Sequence, residues 1–112
     1  MKIIEITKSH QDAPRSCVTE LMVDIFSRRK SVPRDEIELE WSRPHNDYPS
    51  EFAEIAKYYD FVAIYDCLLD NNGNETGAYF TFKKIDNEMC DFLRRHGSLC
   101  TYDALKLYAN KT

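Results

Sequence analysis

The sequence predicts a small α+β fold in which about four strands form an antiparallel or mixed sheet beside four helices. Three observations lead to this prediction. The chain has 112 residues and 43% hydrophobic content, which suits one domain with its own core. Strand-type and helix-type apolar periodicities are both present. They follow the order β-α-β-α-β-β-α-α, so we expect residues 1–112 to form a single domain.

The first strand and the first helix are indicated by their apolar spacing. Residues 2 to 7 alternate, with Ile4 and Ile6 facing away from Ile3 and Glu5. Residues 14 to 30 then carry apolar side chains three and four positions apart, which is typical of a helix with one buried face. That stripe consists of Val18, Leu21, Met22, Ile25 and Phe26.

Residues 33 to 43 allow two interpretations. Apolar residues alternate with an acidic row, which favours a half-buried strand with glutamates on its outer side. Pro33 followed by Asp35 and Glu36 would equally begin a helix. We predict the strand, whose acidic row is Glu36, Glu38 and Glu40.

The second half of the chain contains the strongest strand signals. A proline-bounded loop over 43–49 precedes a helix that Ser50 can cap. Runs rich in aromatic and β-branched residues at 61–65 and 79–82 predict two antiparallel strands joined by an extended, mobile tip over 70–77. Two helices follow, the first capped by Asp86 or Asn87 and the second by Thr101.

Composition and charge restrict the function classes. The formal net charge is −4 at pH 7, which argues against non-specific nucleic-acid binding. Residues 1–11 lack the pattern of a signal peptide, and no apolar run reaches 18 residues. We therefore expect a cytoplasmic protein without a membrane partner. Its four cysteines are then expected to be reduced thiols.

The residue types needed for chemistry are present without a complete motif. Cys17, His45 and Asn46 could form a thiol hydrolase site, and a glutamate pair could do acid–base work. Cysteines 67, 90 and 100 with His96 lack the short Cys-x2-Cys spacing typical of zinc sites. We expect no catalytic residue, no metal and no cofactor.

Residues 92–108 contain Arg95-His96-Gly97-Ser98-Leu99, then Thr101 and Ala104-Leu105. This segment resembles the first helix pair of small phage-type helix-turn-helix domains over about a sixth of the chain. The resemblance implies two helices separated by a glycine stop. The helix that reads the major groove should follow such a pair. Here the sequence ends at Thr112, so we expect the helix pair without a DNA reader.

The acidic row and its aromatic neighbours are the strongest functional indication. They predict a non-enzymatic interaction protein that binds and inhibits a larger partner, which is basic or handles nucleic acid. A mobile-element-encoded inhibitor of a host defence system would fit. The alternatives are a winged-helix-like nucleic-acid-binding regulator, which needs a helix over 33–42, and a small hydrolase. The expected partner-binding residues are Glu36, Glu38, Glu40, Trp41, His45 and Tyr48.

Overall fold

The computed structural model describes residues 1–7, 15–42 and 48–111. Within these ranges the elements follow the predicted order, which confirms the α+β class. The strands are β1 (Lys2–Thr7), β2 (Glu38–Ser42), β3 (Phe61–Leu69) and β4 (Glu75–Lys84). The helices are α1 (Arg15–Lys30), α2 (Pro49–Ala56), α3 (Asn87–Arg95) and α4 (Thr101–Ala109).

The four strands form one mixed sheet in the order β2-β1-β3-β4. β1 runs parallel to both of its neighbours, whereas β3 and β4 form an antiparallel hairpin. The strand predicted within 33–43 is confirmed over Glu38–Ser42, and a 3₁₀ helix over Arg34–Glu36 precedes it. The winged-helix arrangement is therefore wrong, because it needed a helix where β2 pairs with β1.

Helix α1 covers one face of the sheet. Met22 and Phe26 are fully buried against this face. The Phe26 ring meets the rings of Phe61 and Phe82 edge-on, with both centroid distances at 5.3 Å. Leu21 was predicted in the buried stripe but is 45% exposed. Leu21 lies at the border of the apolar stripe, on the part of the helix surface that begins to face away from the sheet.

The other three helices cover the opposite face. Ile4 and Ile6 of β1 are buried there, in a core that includes side chains from α2, α3 and α4. Residues that alternate on β1 therefore meet different helices, as the period of two requires. Because both faces are covered, the central strand β1 has no solvated side, and Glu5 on it is only 1% exposed.

The β3–β4 hairpin has longer strands and a shorter tip than predicted. The strands continue to Leu69 and Glu75, so the tip consists of residues 70–74. The Asp70 carboxylate accepts hydrogen bonds from the backbone N–H groups of Asn72 and Asn74, at 2.8 and 2.9 Å. Gly73 adopts φ of 81°, which a side chain would disfavour. With the turn held by these contacts, β3 and β4 pair beyond the aromatic runs from which the two strands were predicted.

The two C-terminal helices agree with the predicted helix pair. Asp86 is the N-cap of α3, because its carboxylate accepts a hydrogen bond from the backbone N–H of Met89 at 2.9 Å. Thr101 was predicted as the N-cap of the last helix, but it is the first residue of α4, and the N-cap is Cys100. None of the helices in the described ranges has the length and apolar character needed to cross a membrane.

Candidate protein-binding edge

Strand β2 forms one edge of the sheet, and its backbone is paired on one side only within the described residues. The N–H of Glu38 donates to the carbonyl of Met1 at 2.9 Å. In a parallel ladder, alternate residues direct their backbone groups toward the same neighbour. The backbone groups of Leu39 and Trp41 therefore point outward from the sheet. This outer side of β2 can accept a further strand.

The side chains of Glu38 and Glu40 are both exposed along this edge. Their register partners on β1 are Lys2 and Ile4, so both glutamates lie on the face that carries α2, α3 and α4. Two positions along a strand place their side chains about 7 Å apart. Neither carboxylate forms an ion pair with another described residue. We call Glu38, Glu40 and the outer backbone of β2 the acidic edge.

Tyr59 connects the acidic edge to the segment that follows α2. Burial raises the pKa of the Tyr59 hydroxyl, and the nearby negative charge of Glu40 raises it further. The interaction of the hydroxyl with the Glu40 carboxylate also favours the protonated phenol. Tyr59 therefore lies close to Glu40, which brings the segment after α2 beside β2.

Helix α2 and its flanking residues add exposed apolar surface to this region. Tyr48, the N-cap of α2, is 64% exposed, Ile55 is 49% exposed and Tyr58 is 77% exposed. Ile55 lies in the last turn of α2, while Tyr48 precedes the helix and Tyr58 follows its C-cap, Lys57. We call these three side chains the α2 outer face. Tyrosines beside charged groups are common anchors in protein interfaces.

The structure brings only part of the predicted site together. Glu38 and Glu40 lie on β2, but Glu36 belongs to the preceding 3₁₀ helix, so the predicted row of three glutamates on one strand is wrong. The turn is closed by backbone hydrogen bonds from the Glu36 N–H to the Pro33 carbonyl at 3.0 Å and from the Ile37 N–H to the Arg34 carbonyl at 3.2 Å. The Glu36 carbonyl also accepts a hydrogen bond from the amino terminus at 2.7 Å. Trp41 is part of β2, but its side chain lies outside what the structure describes, as does the whole of His45.

Three of the residues considered for metal binding, Cys90, His96 and Cys100, have described side chains, and each makes another contact. Cys90 is buried in α3 and donates to the Ala53 carbonyl at 3.6 Å, while Cys100 donates to the Asp103 carboxylate at 3.1 Å. Burial raises the pKa of both thiols, and both are free. The His96 ring packs on Phe92. Across residues 1–7, 15–42 and 48–111, no three His, Cys, Asp or Glu side chains are grouped as metal ligands.

The hydrolase residues are not assembled by anything that the structure describes. Cys17 lies in α1, but its side chain is outside the described part, and His45 and Asn46 are outside it as well. The glutamate pair of β2 is exposed at an edge, whereas an acid–base pair needs a cleft that shifts one of the two pKa values.

Two polar contacts beside the sheet were not predicted from the sequence. The buried Glu5 carboxylate accepts a hydrogen bond from the Thr19 hydroxyl of α1 at 3.4 Å. Asp66 of β3 forms an ion pair with Lys106 of α4. These contacts connect one helix on each face to the sheet. A glutamate in a strand indicates such a contact between sheet and helix only when helices are known to cover both faces of that strand.

Comparisons with protein-family models, with curated proteins and with solved structures find no match to this chain.

Proposed function

We propose that this chain is a non-enzymatic interaction module that binds a larger, basic protein partner through its acidic edge. The observation that carries the proposal is the pair of exposed glutamates, Glu38 and Glu40, on an edge strand. Neither has an ion-pair partner among the described residues. Exposed carboxylates of this kind steer and orient a positively charged partner.

Strand addition is the binding mode that the edge supports best. An extended segment of the partner would pair with the outward backbone groups of Leu39 and Trp41. Lysine or arginine side chains at alternate positions of that segment would reach Glu38 and Glu40. The α2 outer face, beside the end of the edge at Tyr59, would add apolar contact through Tyr58. Backbone pairing would supply affinity, and charge would select the partner.

A partner of this chemistry includes proteins that hold nucleic acid in a basic groove. An acidic module that occupies such a groove excludes the phosphate backbone and therefore inhibits the partner. A mobile-element-encoded inhibitor of a host defence system would have this design. Two free thiols, Cys90 and Cys100, are compatible with the reducing cytoplasm that this function requires.

The test uses a synthetic peptide in which lysine and valine alternate, with a glutamate–valine peptide of the same length as the control. Isothermal titration calorimetry is expected to show binding of the lysine peptide alone, and the backbone amide signals of β2 should shift during an NMR titration. Binding should weaken with added salt, because screening reduces the attraction between exposed charges. Binding of both peptides alike would contradict the role of charge.

Matched variants locate the binding site. Glu38→Lys and Glu40→Lys should each reduce the affinity, whereas Glu20→Lys makes the same charge change on the exposed side of α1 and should have little effect. Equal affinity of all three variants would reject the acidic edge as the site. In a pull-down from a host lysate, the proposed partner must be captured by the wild type and lost with the Glu38→Lys/Glu40→Lys variant.

A further inference from the structure

The two edges of the sheet carry opposite charge. The strand pairings place Glu40 of β2, Ile4, Val62 and Lys83 of β4 in one row across the sheet. An acid therefore stands at one end of this row and a base at the other, about 14 Å apart for three strand spacings. Lys84 follows Lys83 at the same end of β4.

The two lysines of β4 are available for an external partner. Lys84 is exposed and Lys83 is half-buried, and neither forms an ion pair within the part of the chain that the structure describes. Lys111 is different, because it pairs with Glu88 at 2.5 Å. The lysines face a groove of about 310 Å³ lined by Lys83, Lys84, Asp86, Glu88, Tyr108 and Lys111.

The strand directions match the edges to each other. β2 runs parallel to β1 and β3, whereas β4 runs antiparallel to β3. A second copy displaced along the sheet would therefore bring its β2 antiparallel to β4 of the first copy. In that arrangement Glu40 approaches Lys83 on the face that carries α2, α3 and α4, whereas Lys84 lies on the α1 face and contributes only through the positive charge of the edge. Pairing of β2 with β2 would instead bring glutamates near glutamates, and pairing of β4 with β4 would bring lysines near lysines. Both arrangements are unfavourable, because like charges repel.

We propose that the chain self-associates head to tail, with β2 of one copy adding to β4 of the next. The interface is heterologous, so it leaves a free acidic edge at one end and a free basic edge at the other. Because neighbouring strands are rotated by about −20 to −25°, repeated addition gives a twisted open chain of copies. β2 has five residues, so the contact is small and the association is weak.

This self-association does not depend on the proposed partner, although both use the acidic edge. At high protein concentration a neighbouring copy competes with a basic segment for β2, and dilution releases the edge. Failure of the lysine peptide to bind would therefore leave self-association untouched, and a monomeric protein that binds the peptide would overturn self-association alone.

Sedimentation equilibrium over a concentration series is the test, with the wild-type chain in about 0.1 M and about 1 M NaCl, where the Debye length is about 10 Å and about 3 Å. At the lower salt, the weight-average mass should rise above 13.2 kDa with concentration. The association constant should fall about 1.4- to 5-fold at the higher salt, as expected for one ion pair near the surface. A wild-type chain that stays monomeric at all concentrations overturns the proposal.

Paired charge reversals identify the edges. Glu38→Lys/Glu40→Lys and Lys83→Glu/Lys84→Glu should each be monomeric, whereas an equimolar mixture of these two variants should associate again. The quadruple variant should also associate. Arg28→Glu/Arg29→Glu makes the same charge change as the lysine variant on exposed positions of α1 and should associate like the wild type.

Circular dichroism melting should show that all the variants fold, since the reversed side chains are exposed or half-buried. Two results contradict the pairing of β2 with β4. One is an equimolar mixture of the two variants that stays monomeric. The other is a Lys83→Glu/Lys84→Glu variant that associates as strongly as the wild type.

Discussion

Replacement of Phe26 by alanine tests whether α1 is packed on the sheet as described. The Phe26 side chain is fully buried and makes two edge-on ring contacts, with Phe61 of β3 and Phe82 of β4. A buried Phe→Ala change costs about 3–5 kcal/mol. Each aromatic pair contributes about 0.5–1.5 kcal/mol beyond the buried area, so we expect a loss in the upper half of that range. A domain is stable by only about 5–15 kcal/mol, so this is a large fraction.

Urea denaturation followed by circular dichroism measures this loss. With a slope of about 1–3 kcal/mol/M, the midpoint should fall by about 1.3 to 5 M. Leu21→Ala is the control on the same helix, because Leu21 is 45% exposed, and it should cost less than about 1 kcal/mol.

If Phe26→Ala does not fold, Phe26→Leu keeps an apolar side chain while removing both ring pairs, and we expect about 1–3 kcal/mol. A Phe26→Ala loss no larger than that of Leu21→Ala would refute the packing of α1 on β3 and β4.

Two further predictions concern α2 and α3. Asp86→Ala removes the N-cap of α3 and should lower the free energy of unfolding by about 0.5–2 kcal/mol in the same urea assay, whereas Asp86→Ser should recover most of the loss. Equal losses for both variants would contradict a capping role. Lys57 and Arg94 hold the pKa of Glu54 below its ordinary value through hydrogen bonds at 2.7 and 2.6 Å. Because this pKa is lower in the folded chain than in the unfolded one, the carboxylate stabilises the fold at neutral pH, and the contribution is lost as pH falls through the folded pKa. Thermal melting should therefore show Glu54→Gln less stable than wild type at pH 7 and equal to it in strong acid, and a difference that persists in acid would contradict this assignment.

The two proposals make different demands on the acidic edge. Partner binding needs the outer side of β2 to be open, and self-association covers it with β4 of another copy. The Glu38→Lys/Glu40→Lys variant should therefore lose both activities, whereas Lys83→Glu/Lys84→Glu should lose only self-association. Lys83→Glu/Lys84→Glu separates partner binding from self-association, because its acidic edge is unchanged.

Part of the candidate site could be predicted from the sequence, because it depends on local alternation. Glu38 and Glu40 were predicted on the outer side of a strand, and they are exposed on β2. Glu36 continues the same alternation but lies in the 3₁₀ helix, where its carbonyl is bonded to the amino terminus. The alternation could not indicate this hydrogen bond, because its two partners, Met1 and Glu36, are far apart in the sequence. The role of Tyr59 depends on its contact with Glu40, which also joins separate elements.

The local conformation of most elements could be predicted from the sequence, because helix and strand periods depend on neighbours a few positions away. The stripe of α1, the aromatic strands β3 and β4 and the helix pair α3–α4 are of this kind. The position of β1 at the centre of a mixed sheet, with β2 and β4 at its edges, became known from the tertiary fold. That order results from pairings between distant segments, and the local period is the same for a central strand and an edge strand. It is also what buries Glu5, exposes Glu38 and Glu40, and places an acid and a base at opposite ends of one row.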